Sequence, residues 1–470
     1  MRSIVCSLDS TLPAMSFSTP SPRGTLVAAA LGFVVVLLDV SVVNVALDAL
    51  RQEFDTDVAG LQWVVNAYTL AFAALLLTSG ALGDRFGARR IFLYGFMLFT
   101  LASAACGLAG SLALLAGARV IQGMGASLLV PNSLSMLQRA FPDKLQRSRA
   151  VGWWGGIASL ALAAGPVLGG LLVAQWGWRA IFAINLPVGV LGIWLTLRYV
   201  AADPPGHARS LDWPGQGAAI LALTALTAGL MEVGRQGWAS PWVQGALLAC
   251  VVAVAAFLRI ETRSPAPMLP LALFRVPAFT LAAVSGVAVN FAYYGLVFVF
   301  SLFFQVEQGM SAAQAGLAFL PMTVVLMVAN LAASRLITRM GGSRLMVLGL
   351  LIAASGYLLL LPVRIEGAYV WLALPMLLAA TGTALTVPTM TNITLSSVDP
   401  GRSGIASGVL NSARQVGGLL GVAVCGYLVR DTAPSAFMTG MHLSAAIGGL
   451  LTLTTGAMWW LGIATEKCPA

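Results

Sequence analysis

The sequence predicts an all-α polytopic membrane protein. It has two six-helix bundles flanking a central two-helix insertion, fourteen transmembrane helices in all, with both termini cytoplasmic. Three observations predict it. Hydrophobic residues make up 59% of the 470 and charged ones only 9%, where a soluble domain carries roughly a quarter charged. The apolar residues gather in runs of about twenty, enough to cross about 30 Å of hydrocarbon at 1.5 Å per residue, and without water for the backbone such runs must be helices. The net charge of +9 is spread through short loops, where it sets membrane orientation. It forms no basic, aromatic-studded face, so no nucleic acid is expected as a partner.

The runs fall at roughly 26–47, 61–82, 92–110, 112–133, 150–172 and 181–199, then 213–231 and 242–259, then 278–303, 315–335, 344–362, 369–391, 403–428 and 440–463. With the N-terminus cytoplasmic and each run crossing once, 19 of the 26 Lys and Arg lie in cytoplasmic segments. Five lie outside (Arg51, Arg179, Arg235, Arg364 and Arg430), and Arg119 and Arg414 lie within runs. One helix more or fewer would invert all that follows and spoil this asymmetry.

The first six and last six runs each carry a basic loop between their second and third members, 80–90 and 335–344. Repeated halves are a common build of secondary transporters, with substrate at the midplane between them. The expected divisions are a disordered tail at 1–25, a first bundle at 26–200, the insertion and its loops at 201–275, a second bundle at 276–464 and a tail at 465–470. Residues 1–24 are rich in Ser, Thr and Pro without an apolar core, so no cleavable signal is expected, and Met15 is an equally good start.

Several chemistries are excluded by residue type. Cys6, Cys106, Cys250, Cys425 and Cys468 show no CxxC spacing, and three of them fall in apolar runs as small buried hydrophobes. His207 and His442 are too far apart in sequence to suggest a metal site. The only lysines, Lys144 and Lys467, follow acids rather than the glycine of a phosphate loop. ATP hydrolysis is excluded, which leaves an ion gradient or simple facilitation. No cofactor is expected.

Asp39 carries the most weight. It lies about thirteen residues into the first run, roughly 20 Å from its inner end. A carboxylate in hydrocarbon costs about 2.5–3.5 kcal/mol on insertion scales, so an acid there is poised to carry a proton, unless it serves only in a structural ion pair. Arg119 lies at similar depth in the fourth run and is the expected partner, giving a contact that protonation would weaken.

In the second half, Gly404, Gly408, Asn411, Gln415 and Gly418 recur at helical spacing beside Arg414. They read either as cavity lining or as a polar clamp between helices. Asn44, Asn66, Gln122 and Asn290 are further cavity candidates, although intramembrane amides often serve as interhelical glue. The turn Gly80-Ala-Leu-Gly83-Asp84-Arg85-Phe-Gly87-Ala-Arg89-Arg90 combines tight-turn glycines with a possible charge lock between Asp84 and Arg85 or Arg89. Gly165-Pro166-Val-Leu-Gly169-Gly170, inside the fifth run, permits bending and close packing.

Together these segments resemble the major facilitator superfamily, and within it the fourteen-helix drug:proton antiporter branch. The resemblance rests on the Gly80–Arg90 loop, on Leu115-x-x-x-Arg119-x-x-Gln122-Gly123, and on Gly165-Pro166-x-x-Gly169-Gly170. Leu38-Asp39-Val-Ser-Val-Val-Asn44-Val-Ala46-Leu47 points to the branch. Supporting pieces are Trp178-Arg179-x-x-Phe182-x-x-Asn185-x-Pro187, Leu211-Asp212-Trp213-Pro-Gly215, and Gly404-x-Ala406-Ser407-Gly408 through Arg414-Gln415.

The resemblance implies alternating access, with Asp39 as proton carrier, Arg119 as relay partner, and Gly165, Pro166, Gly169 and Gly170 as antiport hinge. It also implies a gate loop of Gly80, Gly83, Asp84, Arg85, Gly87 and Arg89 that stabilises one gate-closed state. Ala88, where a basic residue is usual, departs from the pattern and weakens that lock. Asp48 and Ser41 replace a usual proline and threonine, and Thr338 stands where the second half's matching loop might hold an aspartate.

The expected function is proton-driven export of small amphipathic drugs or metabolites by a monomer in the cell membrane. The expected partners are a small-molecule substrate, protons and lipid. A symporter or facilitator is the alternative. A membrane-embedded enzyme or a non-transporting receptor is more remote.

Overall fold

The structure, a computed structural model, describes residues 20–203, 212–264, 267–365, 367–398 and 403–466. Most of the expected N-terminal tail, Pro204-Pro205-Gly206, His207, Leu211 and the last four residues lie outside these. The chain is helical throughout its described length. The first half contains α1 (Pro22–Val45), a short α2 (Leu47–Glu53), α3 (Val58–Phe86), α4 (Ala88–Gly107), α5 (Leu112–Ala140), α6 (Lys144–Trp176), the one-turn α7 (Ala180–Ala183) and α8 (Asn185–Tyr199). Next come α9 (Trp213–Gln236) and α10 (Pro241–Arg263). The second half contains α11 (Pro277–Leu302), α12 (Ala312–Met340), α13 (Gly342–Leu358), α14 (Tyr369–Ser396), α15 (Ser403–Leu428) and α16 (Pro434–Glu466).

Local chemistry sets the boundaries. Side chains of Ser21, Asp57, Ser111, Asp143 and Asp212 each accept a backbone N–H in the first turn of the helix that follows, and Ser311 with Gln314 forms a capping box. Ser21 also donates its backbone N–H to the Tyr199 carbonyl at 3.0 Å. This cap starts α1 at Pro22, so the expected tail at 1–25 is too long by four residues. Gly87 and Gly341 end α3 and α12 at φ 98° and 83°, a conformation that favours glycine. Equivalent turns thus close equivalent helices of the two halves.

Each of the fourteen expected runs falls on a helix, but among the described residues twelve helices are long and apolar enough to cross a membrane on that criterion. Two fall short for different reasons. α13 has only 17 residues, and α15 is diluted by Asn411, Arg414 and Gln415. Leu, Val and Ile side chains stand exposed around the perimeter. Exposed Trp176, Trp213, Trp238, Trp242, Trp371 and Trp460 gather near helix ends, the level of a bilayer's polar interface.

The two halves meet along three seams, α6 with α12, α3 with α15, and α1 with α11. Contacts are closest near the distal face, where α1 ends. Gly170 lies against the backbone of Ala312, and Gly316 against the Pro166 carbonyl. Gln62 donates to the carbonyls of Val422 and Ala423, both at 2.8 Å. Ser301 at the end of α11 and Gln305 within the π-helical turn Phe303–Glu307 that follows both reach the Asn44 carbonyl.

The central pair is not a detached appendage. α9 packs on both α3 and α15. Gln216 donates to the Ala74 carbonyl at 2.7 Å and bonds Thr78, while Trp238 meets Tyr427 edge-on.

Three of the five arginines expected outside are neutralised at the distal face. Arg51 pairs with Asp48, Arg179 with Glu53 and Arg235 with Asp57.

The Arg235–Asp57 pair ties α9 to α3 through two hydrogen bonds at 2.5 and 2.8 Å. The Arg235 guanidinium, helped by the Gly60 N–H, holds the Asp57 carboxyl below its ordinary range. A depressed carboxyl contributes stability that is present above its unfolded pKa of about 3.9 and is lost as pH falls through the lower folded value. Asp57→Asn keeps a good helix cap but loses the charge. At pH 7 the variant is expected to melt slightly earlier than wild type in detergent, by less than about 1 kcal/mol because the pair is half exposed. The two melting curves should converge as the pH is lowered from about 4 towards 2; a gap that persists at the acid end sinks the assignment.

Candidate functional site

α1 carries a single acid, Asp39, and four other helices of the first half, α3, α4, α5 and α8, contribute to its surroundings. Arg119 and Gln122 are three residues apart on α5 and so share a face. Gly123, next in sequence, lies against the Tyr68 carbonyl and lets α5 close on α3. Arg119 thereby reaches the Val64 carbonyl through Nε at 3.1 Å, and its guanidinium sits over the Tyr68 ring at 4.3 Å.

The Asp39 oxygens take up the rest. Arg119 donates to one in an ion pair, and the other accepts from Gln122 Nε2 at 2.8 Å and from Asn185 Nδ2 at 3.1 Å. Arg119 also donates to Gln122 Oε1 at 2.9 Å, and Ser103 on α4 accepts from Asn185 at 3.1 Å. Asp39, Gln122 and Asn185 are all 0% exposed and Arg119 is 1% exposed. A buried ion pair holds only when its remaining hydrogen-bonding capacity is met. Here every Asp39 oxygen is met, and Asn185 Oδ1 alone in the cluster lacks a partner.

One residue past Asp39, α1 faces the other half. Val40, Ser41 and Asn44 line a narrow cavity between the halves, with Pro166 of α6, Tyr293 and Tyr294 of α11 and Thr323 of α12. Asn44 donates back to Val40 of its own helix at 3.0 Å, as Asn290 does to Gly286 at 2.8 Å. Of the seven expected cavity residues, Asn44 alone is among those lining this cavity. Gln122 belongs to the Asp39 cluster, and Asn66 points at Met231 of α9. Asn411, Arg414 and Gln415 are half-buried on α15, where Gly418 packs against Tyr294.

The Gly165–Gly170 segment joins these parts. α6 runs unbroken through Pro166. Gly165 and Gly169 lie against Ser41, Val42 and Val45 of α1, while Gly170 and Pro166 touch α12.

At the proximal face, the turn after α3 meets an acid that the sequence did not single out. Asp203 accepts the backbone N–H groups of Arg89 and Arg90, both at 3.1 Å, and pairs with Arg139 at 2.8 Å. Arg89 donates its guanidinium to the Leu197 carbonyl at 3.0 Å, and Arg85 lies over Phe86. Gly83 packs against Asn132 of α5, Gly80 lies near Pro131, and Asp84 stands exposed at the end of α3. Ser103, Tyr68, Gln62 and the place of Asn185 beside Asp39 are likewise not singled out by the sequence. Asn185 gave the same signal as Asn44 and Asn66, a lone amide in an apolar run.

Removing one member of a buried pair strands the other, at a cost of about 3–5 kcal/mol. Arg119→Met is expected to lose about that much thermal stability in detergent near pH 8, with much of it recovered in Asp39→Asn/Arg119→Met. Additive losses in the double variant would show that the two side chains are not coupled.

Comparison with known proteins agrees with this architecture. The profile described as Major Facilitator Superfamily matches residues 29–422. The Methylenomycin A resistance protein of Streptomyces coelicolor is 38% identical over 447 residues, covering 95% of this chain and 94% of that one. The Multidrug resistance protein Stp of Mycobacterium tuberculosis is 38% identical over 403 residues, covering 86% and 75%. A crystal structure of the peptide transporter POT in complex with sulfate matches with a TM-score of 0.72 at 16% identity, covering 96% of this chain and 97% of that one, a likeness of fold alone. With the profile running through both halves and the pair between them, the chain belongs to the Major Facilitator Superfamily.

Proposed function

We propose that this protein is a proton-coupled antiporter that exports small amphipathic compounds by alternating access. The observation that carries the reading is the Asp39–Arg119 pair, sealed inside the first half one residue from the cavity between the halves. Relatives named for methylenomycin A resistance and multidrug resistance support export as the direction.

The topology that goes with this reading has fourteen crossings with both termini cytoplasmic, as in the fourteen-helix drug:proton antiporter branch. α13 and α15 are the third and fifth helices of the second half, answering to α4 and α6 of the first, so both count as crossings. The distal face is then the outer side of the cell membrane. The protein works as a monomer, needs no cofactor beyond the proton gradient and carries out no covalent chemistry on its substrate.

In the mechanism we infer, Asp39 alternates between carboxylate and carboxylic acid as the halves rock. Charged, it holds Arg119, Gln122 and Asn185 as found here. Protonated, it gives up its attraction for Arg119 and gains an O–H to donate. Asn185 can answer either form, because turning its amide over exchanges a donor for its unpartnered Oδ1. α6 passes the change on, since its glycines lie against the residues of α1 just beyond Asp39 and against α12 of the other half. The gate loop steadies one closed state at the proximal face, with Asp203 capping α4 beneath it.

Asp39→Asn keeps the size of the side chain and, like the protonated acid, offers one acceptor oxygen and one donor group, but cannot carry a proton. In proteoliposomes with an imposed pH gradient, the variant is expected to fold and bind compound yet lose gradient-driven uptake by at least about a hundredfold, within the range that loss of a proton-transfer group costs. Undiminished coupling in this variant refutes the mechanism.

A further inference from the structure

α15 carries the second guanidinium within a helix core, and its surroundings differ from those of the first. Arg414 lies eleven residues past Ser403, about 16 Å along the helix. Arg119 is sealed and paired with Asp39. Arg414 is half-buried and makes no ion pair among the described residues. Its bond to Asn411 Oδ1 of its own helix is long, at 3.4 Å, and its buried Nε has no partner.

From Asn411 to Val416 α15 is half-buried, while Gly417 and Gly418, next in sequence, are buried against Val287 and Tyr294 of α11. Tyr294 touches α15 one turn past Arg414, at Gly418, and also lines the cavity between the halves. Arg414 is not in the cavity wall; its stem packs against Gly286 of α11, the helix that carries Tyr294, which puts it next to that cavity along the α11–α15 contact. The cavity wall itself carries no charge. Its polar groups are Ser41, Asn44, Tyr293, Tyr294 and Thr323, and the rest is aliphatic or aromatic.

We propose that Arg414 is the docking point for a carboxylate on the exported molecule, which makes the substrate class an amphipathic organic acid. This rests on the export reading above. A cation in a low-dielectric interior needs a counter-charge, and Asp39, the acid deepest in the helices of the first half, is already taken by Arg119. A guanidinium presents a planar fork of donors that matches a carboxylate through two parallel hydrogen bonds. Asn411 and Gln415 flank it with further amide groups, and the aromatic and aliphatic walls receive the rest of the molecule. The arrangement also favours carrying over leaking. An empty cavity closes over an unpaired cation, whereas a loaded one closes over a neutral pair.

The test uses the full chain in proteoliposomes and three probes of one skeleton: 1-naphthylacetate, neutral 1-naphthylacetamide and cationic 1-naphthylethylammonium. Binding is read by energy transfer from tryptophan to the naphthyl group. Wild type should bind the acetate at least about tenfold more tightly than the amide, as one charge-assisted contact implies. Arg414→Gln should abolish that preference, and Arg414→Lys, which keeps the charge but not the two-donor fork, should keep only part of it. The proposal is overturned by an acetate that binds no better than the amide, by no binding at all, by preference for the ammonium probe, or by a preference that survives Arg414→Gln. Proton movement in Asp39→Asn liposomes separates the two readings. Coupling that persists there, with the acetate preference intact, sinks antiport through Asp39 alone. A lost preference with Asp39-dependent coupling intact sinks the Arg414 assignment alone.

Discussion

The first half is organised around two opposite charges hidden from water. Taking a carboxylate and a guanidinium into a medium of low polarity costs more than their attraction returns unless neighbouring groups complete their hydrogen bonds. The amides come from α5 and α8, a hydroxyl from α4, a carbonyl and an aromatic face from α3. Each is useless to the pair unless its helix is in place. The same contacts that make the charges tolerable therefore fix how those helices pack, which lipid-facing apolar surface cannot do, since lipid tails offer no preference between one apolar neighbour and another.

The join between halves follows a different logic. Along α6 and α12 the described contacts are glycines and backbone rather than charges, so the two halves touch closely there by packing alone. Polar contacts there, such as Gln62 with two carbonyls of α15, are neutral and few. Rigidity lies inside each half and compliance between them, the division of labour that rocking requires.

Much of this was legible in the sequence because a charge inside an apolar run stands out against its surroundings. Asp39, Arg119 and Arg414 were found that way, and comparable depth put the first two within reach of each other. What depth cannot supply is direction around the helix axis. A helix that is apolar on all sides has no inward face written into its periodicity, so the sequence offers Gln122 and Asn66 to the central cavity although one turns to Asp39 and the other to α9. Asp203 was invisible for another reason. Its work depends on α8 ending beside the start of α4, a fact of tertiary packing alone. The count of spans shows the limit of run length as a signal, since α13 is short and α15 carries the polar residues that an interior helix can accommodate.

Gln62 has a bearing on how the protein is made. It leaves the ribosome early, with α3, yet its acceptors on α15 are synthesised some 360 residues later. Gln216 and Arg235 of α9, in contrast, find partners on α3, already present when α9 enters the membrane. The first half can thus recruit the central pair while translation continues, and one amide stays unmet until the chain is nearly complete. Its satisfaction marks the moment at which the nascent protein becomes a single closed body.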